Sequence, residues 1–278
     1  MTEPDFVVPK TFDPHLHPQE IVLVGCGGTG SHTARLMARL LVHLKGLRLA
    51  VPTLRLVDPD VVETQNIGRQ LFAPAELGLP KAEALARRLS CAFGLAVEWA
   101  NEAFSAERHL TRTYNTILID AVDHHIPRQA FARLTSTVII ACGNERTHGQ
   151  VSIGNVSNPE DIARYLKEVS KRQSAPGETD SLRSLPTAYA LFPSLLEPAV
   201  IVTEEDDTAS CAERLLMGEQ DVFMNDAMAL IASRYVQQLL LRQPIQSFLT
   251  FCTLEEMITV KPIPITLANL HSYLAQAH

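Results

Sequence analysis

The chain has 278 residues, enough for one large domain or two small ones around a substantial core. Its formal net charge of −7, from 24 Lys and Arg against 31 Asp and Glu, gives no overall attraction to nucleic acid or to an anionic membrane, and no run approaches the roughly 18 apolar residues of a membrane span. Five cysteines (Cys26, Cys91, Cys142, Cys211 and Cys252) lie far apart without a Cys-x-x-Cys pair, which speaks against a zinc ribbon or a disulfide scaffold and suits a reducing compartment. Glu3, Asp5 and the prolines at 4, 9 and 14 do not read as a signal peptide, so the expected location is the cytoplasm.

Residues 1–19 read as irregular, broken by four prolines. His15 and His17 lack a third ligand nearby and read as a polar approach to the first strand, not a metal site. Residues 21–24, Ile-Val-Leu-Val, then form a buried parallel strand. Gly25-Cys26-Gly27-Gly28-Thr29-Gly30 forces a tight turn, and an amphipathic helix follows from Ser31, with Ala34, Leu36, Met37, Leu40, Leu41 and Leu44 on its apolar face. Gly25, Gly27 and Gly30 fit G-x-G-x-x-G. A strand, glycine loop and helix in this order offer backbone N–H groups and a positive helix end to a phosphate. The plain alternative is a glycine turn without a ligand; the clean strand and helix around the loop favour the phosphate.

The second strand, 53–58, ends in Asp58, placed to bond a ribose hydroxyl, although an acid at a strand end is also a common turn starter. The next stretch is too polar and too long for a plain connection. It carries Asp60 and then Asn66, Arg69 and Gln70 within five positions, a set suited to phosphates and hydroxyls. Lys81 opens a helix over 81–93. A lysine opposes the helix dipole there, so a polyphosphate partner suits it, against the common fate of a solvated surface lysine. Strands follow at 95–100, 116–120, 136–142 and 149–154. Asp120 and Asp123 lie past the carboxyl end of the fourth strand, where carboxylates suit Mg²⁺. His124 and His125 read as a helix N-terminus, with Arg128 a turn further on.

Beyond residue 155 the pattern changes. A helix is expected over 159–172. Residues 173–210, rich in Ser, Pro, Asp and Glu, form either an insertion or a crossover. The acidic run Glu204-Glu205-Asp206-Asp207 leads to Thr208-Ala209-Ser210-Cys211, and a long helix is expected over 221–241. Segments 248–252 and 257–260 read as a hairpin, and a short helix from Leu267 closes the chain.

Together these pieces resemble the adenylation domain of ubiquitin-activating enzymes and their bacterial relatives, the ThiF/MoeB family. The motifs are Gly25-Cys26-Gly27-Gly28-Thr29-Gly30-Ser31, Asp58 with Asp60, Asn66-x-x-Arg69-Gln70, Lys81, and Asp120-x-x-Asp123, in the family's order across 20–155. The segment Asp206-Asp207-Thr208-x-Ser210-Cys211 is similar to ThiF proteins of the PRTRC system. The resemblance implies a doubly wound, Rossmann-like α/β sheet, parallel in its N-terminal half with further strands after it. It also implies one domain over 1–278, with a nucleotide-binding core at 20–155 and a crossover and carrier-binding part at 156–278.

The resemblance further implies an ATP–Mg²⁺ site, with the triphosphate on Gly25, Gly27, Gly28 and Gly30 and the ribose on Asp58. Asp60, Asn66, Arg69, Gln70 and Lys81 would surround the nucleotide, and Asp123 would hold the metal. Arg69, Lys81 and Asp123 would carry the chemistry: adenylation of the C-terminal glycine of a small ubiquitin-like or sulfur-carrier protein by a homodimer. The cysteine pairs that hold zinc in MoeB-type members are missing, so no structural zinc is expected; nor is there a counterpart of the N-terminal arginine that some members reach across the dimer. Cys211 matches either a thioester-forming cysteine or a non-catalytic Ser-Cys before a helix. The rival readings are an NAD(P)-dependent oxidoreductase, which gives Arg69, Lys81 and Asp123 no role; a family member that binds nucleotide or carrier without chemistry; and an adenylating enzyme acting on a small molecule or an RNA carboxylate.

Overall fold

The computed structural model describes residues 9–171, 181–198 and 223–276. Its centre is an eight-stranded sheet. Five strands are parallel: β2 (Glu20–Val24), β3 (Thr53–Val57), β4 (Val97–Ala100), β5 (Thr116–Asp120) and β6 (Val138–Asn144). Three antiparallel strands continue it: β7 (His148–Gly154), β9 (Ser247–Thr253) and β10 (Thr259–Pro264), in the order β10-β9-β7-β6-β5-β2-β3-β4. From β2 the chain winds outward through β3 and β4, then returns to the other side of β2 as β5. The order therefore reverses between β2 and β5, and a crevice opens at their carboxyl ends.

Both faces of the sheet are covered. Along β2, Ile21 and Leu23 enter one apolar cluster with Met37, Leu41 and Leu44 of α1 (Gly28–Gly46), Leu85 of α2 (Lys81–Phe93) and Met228 of α7 (Met224–Leu240). Val22 and Val24 enter a second cluster with Phe131 of α4 (His125–Phe131) and with Ala188 and Tyr189 of α6 (Ala188–Leu191). This two-sided burial is why the strand reads as a continuous apolar run. Short α3 (Ala106–His109), α5 (Pro159–Lys171) and α8 (Leu267–Gln276) complete the helices described. No helix among the described residues is long and apolar enough to cross a membrane.

The structure departs from the sequence expectations at several boundaries. Residues 1–19 are not wholly irregular: β1 (Thr11–Phe12) pairs in parallel with β8 (Ser181–Leu182). Helix α1 starts at Gly28 instead of Ser31, because Ser31 N already donates to Gly27 O (3.0 Å) and the motif itself supplies the first turn. The fifth strand of the motif region, β6, cannot begin at Ser136, whose φ is +63°; it starts at Val138 and runs on to Asn144 through its pairing with β7. The last strand lies at Thr259–Pro264, beyond the expected 257–260. Pro262 and Pro264 are tolerated because β10 is the sheet edge.

Candidate functional site

The crevice is built from the glycine loop outward. Gly25 follows β2 with φ +90°, and a Cβ there would sit 2.5 Å from Ala121 O, past the end of β5. Only glycine lets the two strand ends approach this closely. Gly30 likewise packs on Gly25 O, which seats the first turn of α1 over β2 and leaves that helix's opening N–H groups at the crevice.

Asp58, at the end of β3, is 5 % exposed. Its Oδ2 accepts from Cys26 N (2.5 Å) and its Oδ1 from Asp60 N (2.8 Å), so it fixes the glycine loop and its own loop together. Burial raises its pKa above the ordinary aspartate value, and the two backbone N–H bonds and Lys81 oppose that shift. Asp60 points outward, with its side chain 63 % exposed, and its Oδ2 lies 2.8 Å from Lys81 Nζ. Lys81 is buried at the start of α2, so the reading of a solvated surface lysine fails; within this chain its partner is Asp60.

The polar stretch after Asp60 folds back on α1. Asn66, buried, spends its Oδ1 on Glu63 N (2.8 Å) and so closes a 3₁₀ turn, Thr64–Asn66. Leu71 N donates to Ser31 Oγ (3.1 Å), and Arg88 of α2 bonds Leu71 O and Glu76, holding the stretch from behind. This places Gln70 beside the glycine loop: its Nε2 would lie 3.8 Å from a Cβ on Gly27. Two buried atoms here, Arg69 Nε and Gln70 Oε1, have no hydrogen-bond partner among the described residues. Buried polar groups are normally paired with protein or water, so this donor and acceptor in adjacent residues have hydrogen-bonding capacity to spare.

The second acidic pair lies across the crevice. Asp120, 1 % exposed, accepts from Tyr189 Oη (2.9 Å) and Val122 N (3.1 Å), with Arg128 Nε 3.4 Å away. Burial raises its pKa, and Arg128 is the largest opposing influence. Arg128 also donates to Val122 O (2.6 Å), so Asp120 and Arg128 clamp the turn that presents Asp123. Asp123 is exposed, and its side chain makes no hydrogen bond or ion pair among the described residues. His124 caps α4, as its position suggested. Cys26, Cys142 and Cys252 are buried and Cys91 is exposed on α2. Burial pushes the Cys26 and Cys142 thiols well up, away from nucleophilic reactivity. Cys211 and the acidic run before it lie outside the described residues.

Sequence reasoning missed Tyr189, Asn144 and Asn225, and gave Arg128 no role. Asn225, in the first turn of α7, accepts from Thr29 Oγ1 and from Asn144 Nδ2 (3.0 Å each). None of these residues stands in a local motif. Metal fit follows from the donors present. No group of three or more His, Cys, Asp or Glu among the described residues could hold an ion by itself. Asp123 supplies an open carboxylate of the kind Mg²⁺ takes when phosphates provide other ligands.

The fold and this crevice define a doubly wound α/β domain with a strand–glycine loop–helix junction at the point where the strand order reverses. Residues 7–259 match the ThiF family, and the chain belongs to it. It is 23 % identical over 255 residues to ubiquitin-like modifier-activating enzyme 5 of Drosophila virilis, covering 89 % of this chain and 57 % of that protein. The same enzyme of Drosophila grimshawi is 32 % identical over 111 residues, covering 40 % of this chain and 23 % of that protein. Among solved structures, E. coli MccB with ATP superposes with a TM-score of 0.53 at 15 % identity, covering 89 % of this chain and 64 % of that one. PaaA superposes with a TM-score of 0.51 at 17 % identity and the same coverage. The chain thus spans just over half the length of the first of these enzymes and less than two thirds of MccB.

Proposed function

We propose that this protein binds ATP with Mg²⁺ in the crevice and activates the C-terminal carboxylate of a small ubiquitin-like or sulfur-carrier protein as an acyl-adenylate. The observation that carries the reading is the pair of partnerless buried atoms, Arg69 Nε and Gln70 Oε1, in adjacent residues of which Gln70 lies against the glycine loop. A dinucleotide oxidoreductase would share the loop and Asp58 but leave these groups and Asp123 without a task. Family membership and the likeness to MccB solved with ATP support the same nucleotide. Substrate class is the finer step. The similar enzymes from Drosophila are named for activating ubiquitin-like modifiers, whereas one MccB structure holds MccA with the ATP analogue AMPCPP.

In the proposed reaction the carboxylate oxygen attacks the α-phosphorus of ATP, and the bond to the β,γ-phosphates breaks to release pyrophosphate. The glycine-loop N–H groups receive phosphate oxygens, and Arg69 and Lys81 offset charge gathering on the departing pyrophosphate. Asp58 offers its oxygens to the ribose while keeping the loop in shape, and Asn66 holds the 3₁₀ turn that aims Arg69 and Gln70. Asp123 would hold a magnesium ion, which would supply neutralisation of phosphate charge. A homodimer and a thioester at Cys211 complete the reading. Cys211→Ala is expected to leave pyrophosphate release intact and remove any reducible carrier–enzyme adduct; an adduct that persists in the variant would exclude that cysteine.

Calorimetry tests the nucleotide directly. ATP with Mg²⁺ is expected to bind wild type and to bind Arg69→Ala about 10-fold or more weakly, the scale of a lost hydrogen bond to a charged group. Tight binding of NAD⁺ or NADP⁺ with none of ATP would overturn the proposal.

A further inference from the structure

Two carboxamides lie against the glycine loop, one from the N-terminal half of the chain and one from the C-terminal half. Gln70 stands beside Gly27. Asn225, almost 200 positions from the loop, lies against Gly28: a Cβ there would be 2.6 Å from Asn225 Nδ2 and 2.8 Å from its Cγ and Oδ1. The amide plane therefore covers the first helical residue of α1, and no larger residue fits beneath it.

Its orientation is fixed by its oxygen. Asn225 is 5 % exposed, and Oδ1 accepts from Thr29 Oγ1 and Asn144 Nδ2 at 3.0 Å each, which fills both lone pairs and leaves Nδ2 as the only remaining polar end. Nδ2 makes no hydrogen bond among the described residues. Neighbouring Asp226 lies 2.8 Å from His32 Nδ1 and 4.0 Å from the Arg35 guanidinium, both on α1. Gln70, 6 % exposed, lies against the preceding residue of the loop, with its Nε2 3.8 Å from a Cβ on Gly27.

We propose that Asn225 is a nucleotide-binding residue, whose Nδ2 donates to the phosphate chain at the start of α1, and that Asn144 is the positioning residue that turns it there. The inference rests on the ATP reading above and adds a phosphate donor from the C-terminal half of the chain. It also gives that half a direct part in nucleotide binding, through the first turn of α7.

The test is the isosteric variant Asn225→Asp, in the full chain, with calorimetric titration of ATP–Mg²⁺ and of adenosine beside thermal unfolding. The carboxylate keeps the shape and both accepted hydrogen bonds but replaces the amide donor with a negative oxygen. The expected result is ATP binding weakened about 10- to 100-fold, the scale of one charge-assisted hydrogen bond, with adenosine affinity and melting temperature unchanged. ATP binding equal to wild type, or equal losses of ATP and adenosine, would overturn the proposal and leave Asn225 a packing residue. Should Asn225→Asp not fold, Asn144→Ala decides: a several-fold loss for ATP and none for adenosine supports the positioning role, and no change for ATP contradicts it. Wild type that binds no ATP at all would overturn the nucleotide reading itself, a failure visible before any variant is made.

Discussion

Two strand ends, β3 and β5, each carry two aspartates, and the pairs differ in an instructive way. In each pair the inner acid is buried and bonds backbone N–H groups: Asp58 ties Cys26 to Asp60, and Asp120 holds Val122 with help from Tyr189 and Arg128. In each pair the outer acid faces solvent. Asp60 has its cation, Lys81, at 2.8 Å, whereas Asp123 makes no ion pair among the described residues. The inner acids therefore shape the two walls of the crevice. Of the outer acids, Asp60 is neutralised by Lys81, whereas Asp123 keeps the open carboxylate that its proposed role as metal ligand requires.

The sharpest way to break this division is to remove an inner acid. Asp120→Ala leaves the Arg128 guanidinium beside an emptied, buried site, and is expected to cost about 3–5 kcal/mol of stability, read by denaturant unfolding. A loss near zero would mean that Asp120 does not hold the wall. Removing the outer acid should do the opposite. Asp123→Ala is expected to leave stability unchanged and lower carrier-dependent pyrophosphate release by about 100-fold or more; retained release would detach Asp123 from the chemistry. Tyr189→Phe removes one hydrogen bond to a carboxylate and is expected to cost about 1.5–3 kcal/mol, with Asp123 less well presented, so that pyrophosphate release falls more than ATP affinity does.

The smallest effect is in titration. Burial raises the pKa of both Asp58 and Asp120 above the ordinary aspartate value of about 3.9. On acidification the folded chain therefore takes up these two protons before the unfolded chain does. By linkage, the contribution of each group to unfolding free energy increases as pH falls through the window between the raised and the ordinary value, and is lost as pH rises through it. Carboxyl-carbon NMR should show two aspartates titrating above that value, with Asp58→Asn and Asp120→Asn each removing one.

What could be read in the sequence follows the range of the interactions. The glycine loop, the strand before it and helix α2 are local patterns, and the last of these appears at Lys81–Phe93 as expected. Asp58 and Lys81 were visible because they end or open a regular element. Their partners were not: the Lys81–Asp60 pair needs a loop to fold back, and Asp58 turns inward to the loop backbone. Tyr189 and Asn225 reach the site from 69 and 196 positions away from their partners Asp120 and Thr29, and no period or spacing encodes such a contact. At the C-terminal edge the expected strand stopped at 260, whereas β10 runs on through Pro262 and Pro264, which an edge strand tolerates because it needs hydrogen bonds on one side only.

The most direct test of the division between the aspartates is a crystal structure of the chain with Mg²⁺ and a non-hydrolysable ATP analogue. The account predicts phosphates on the Gly25–Gly30 loop, the metal on Asp123, and Asp60 still paired with Lys81. A metal held by Asp60, or a nucleotide that leaves Asp123 and Arg69 untouched, would contradict it.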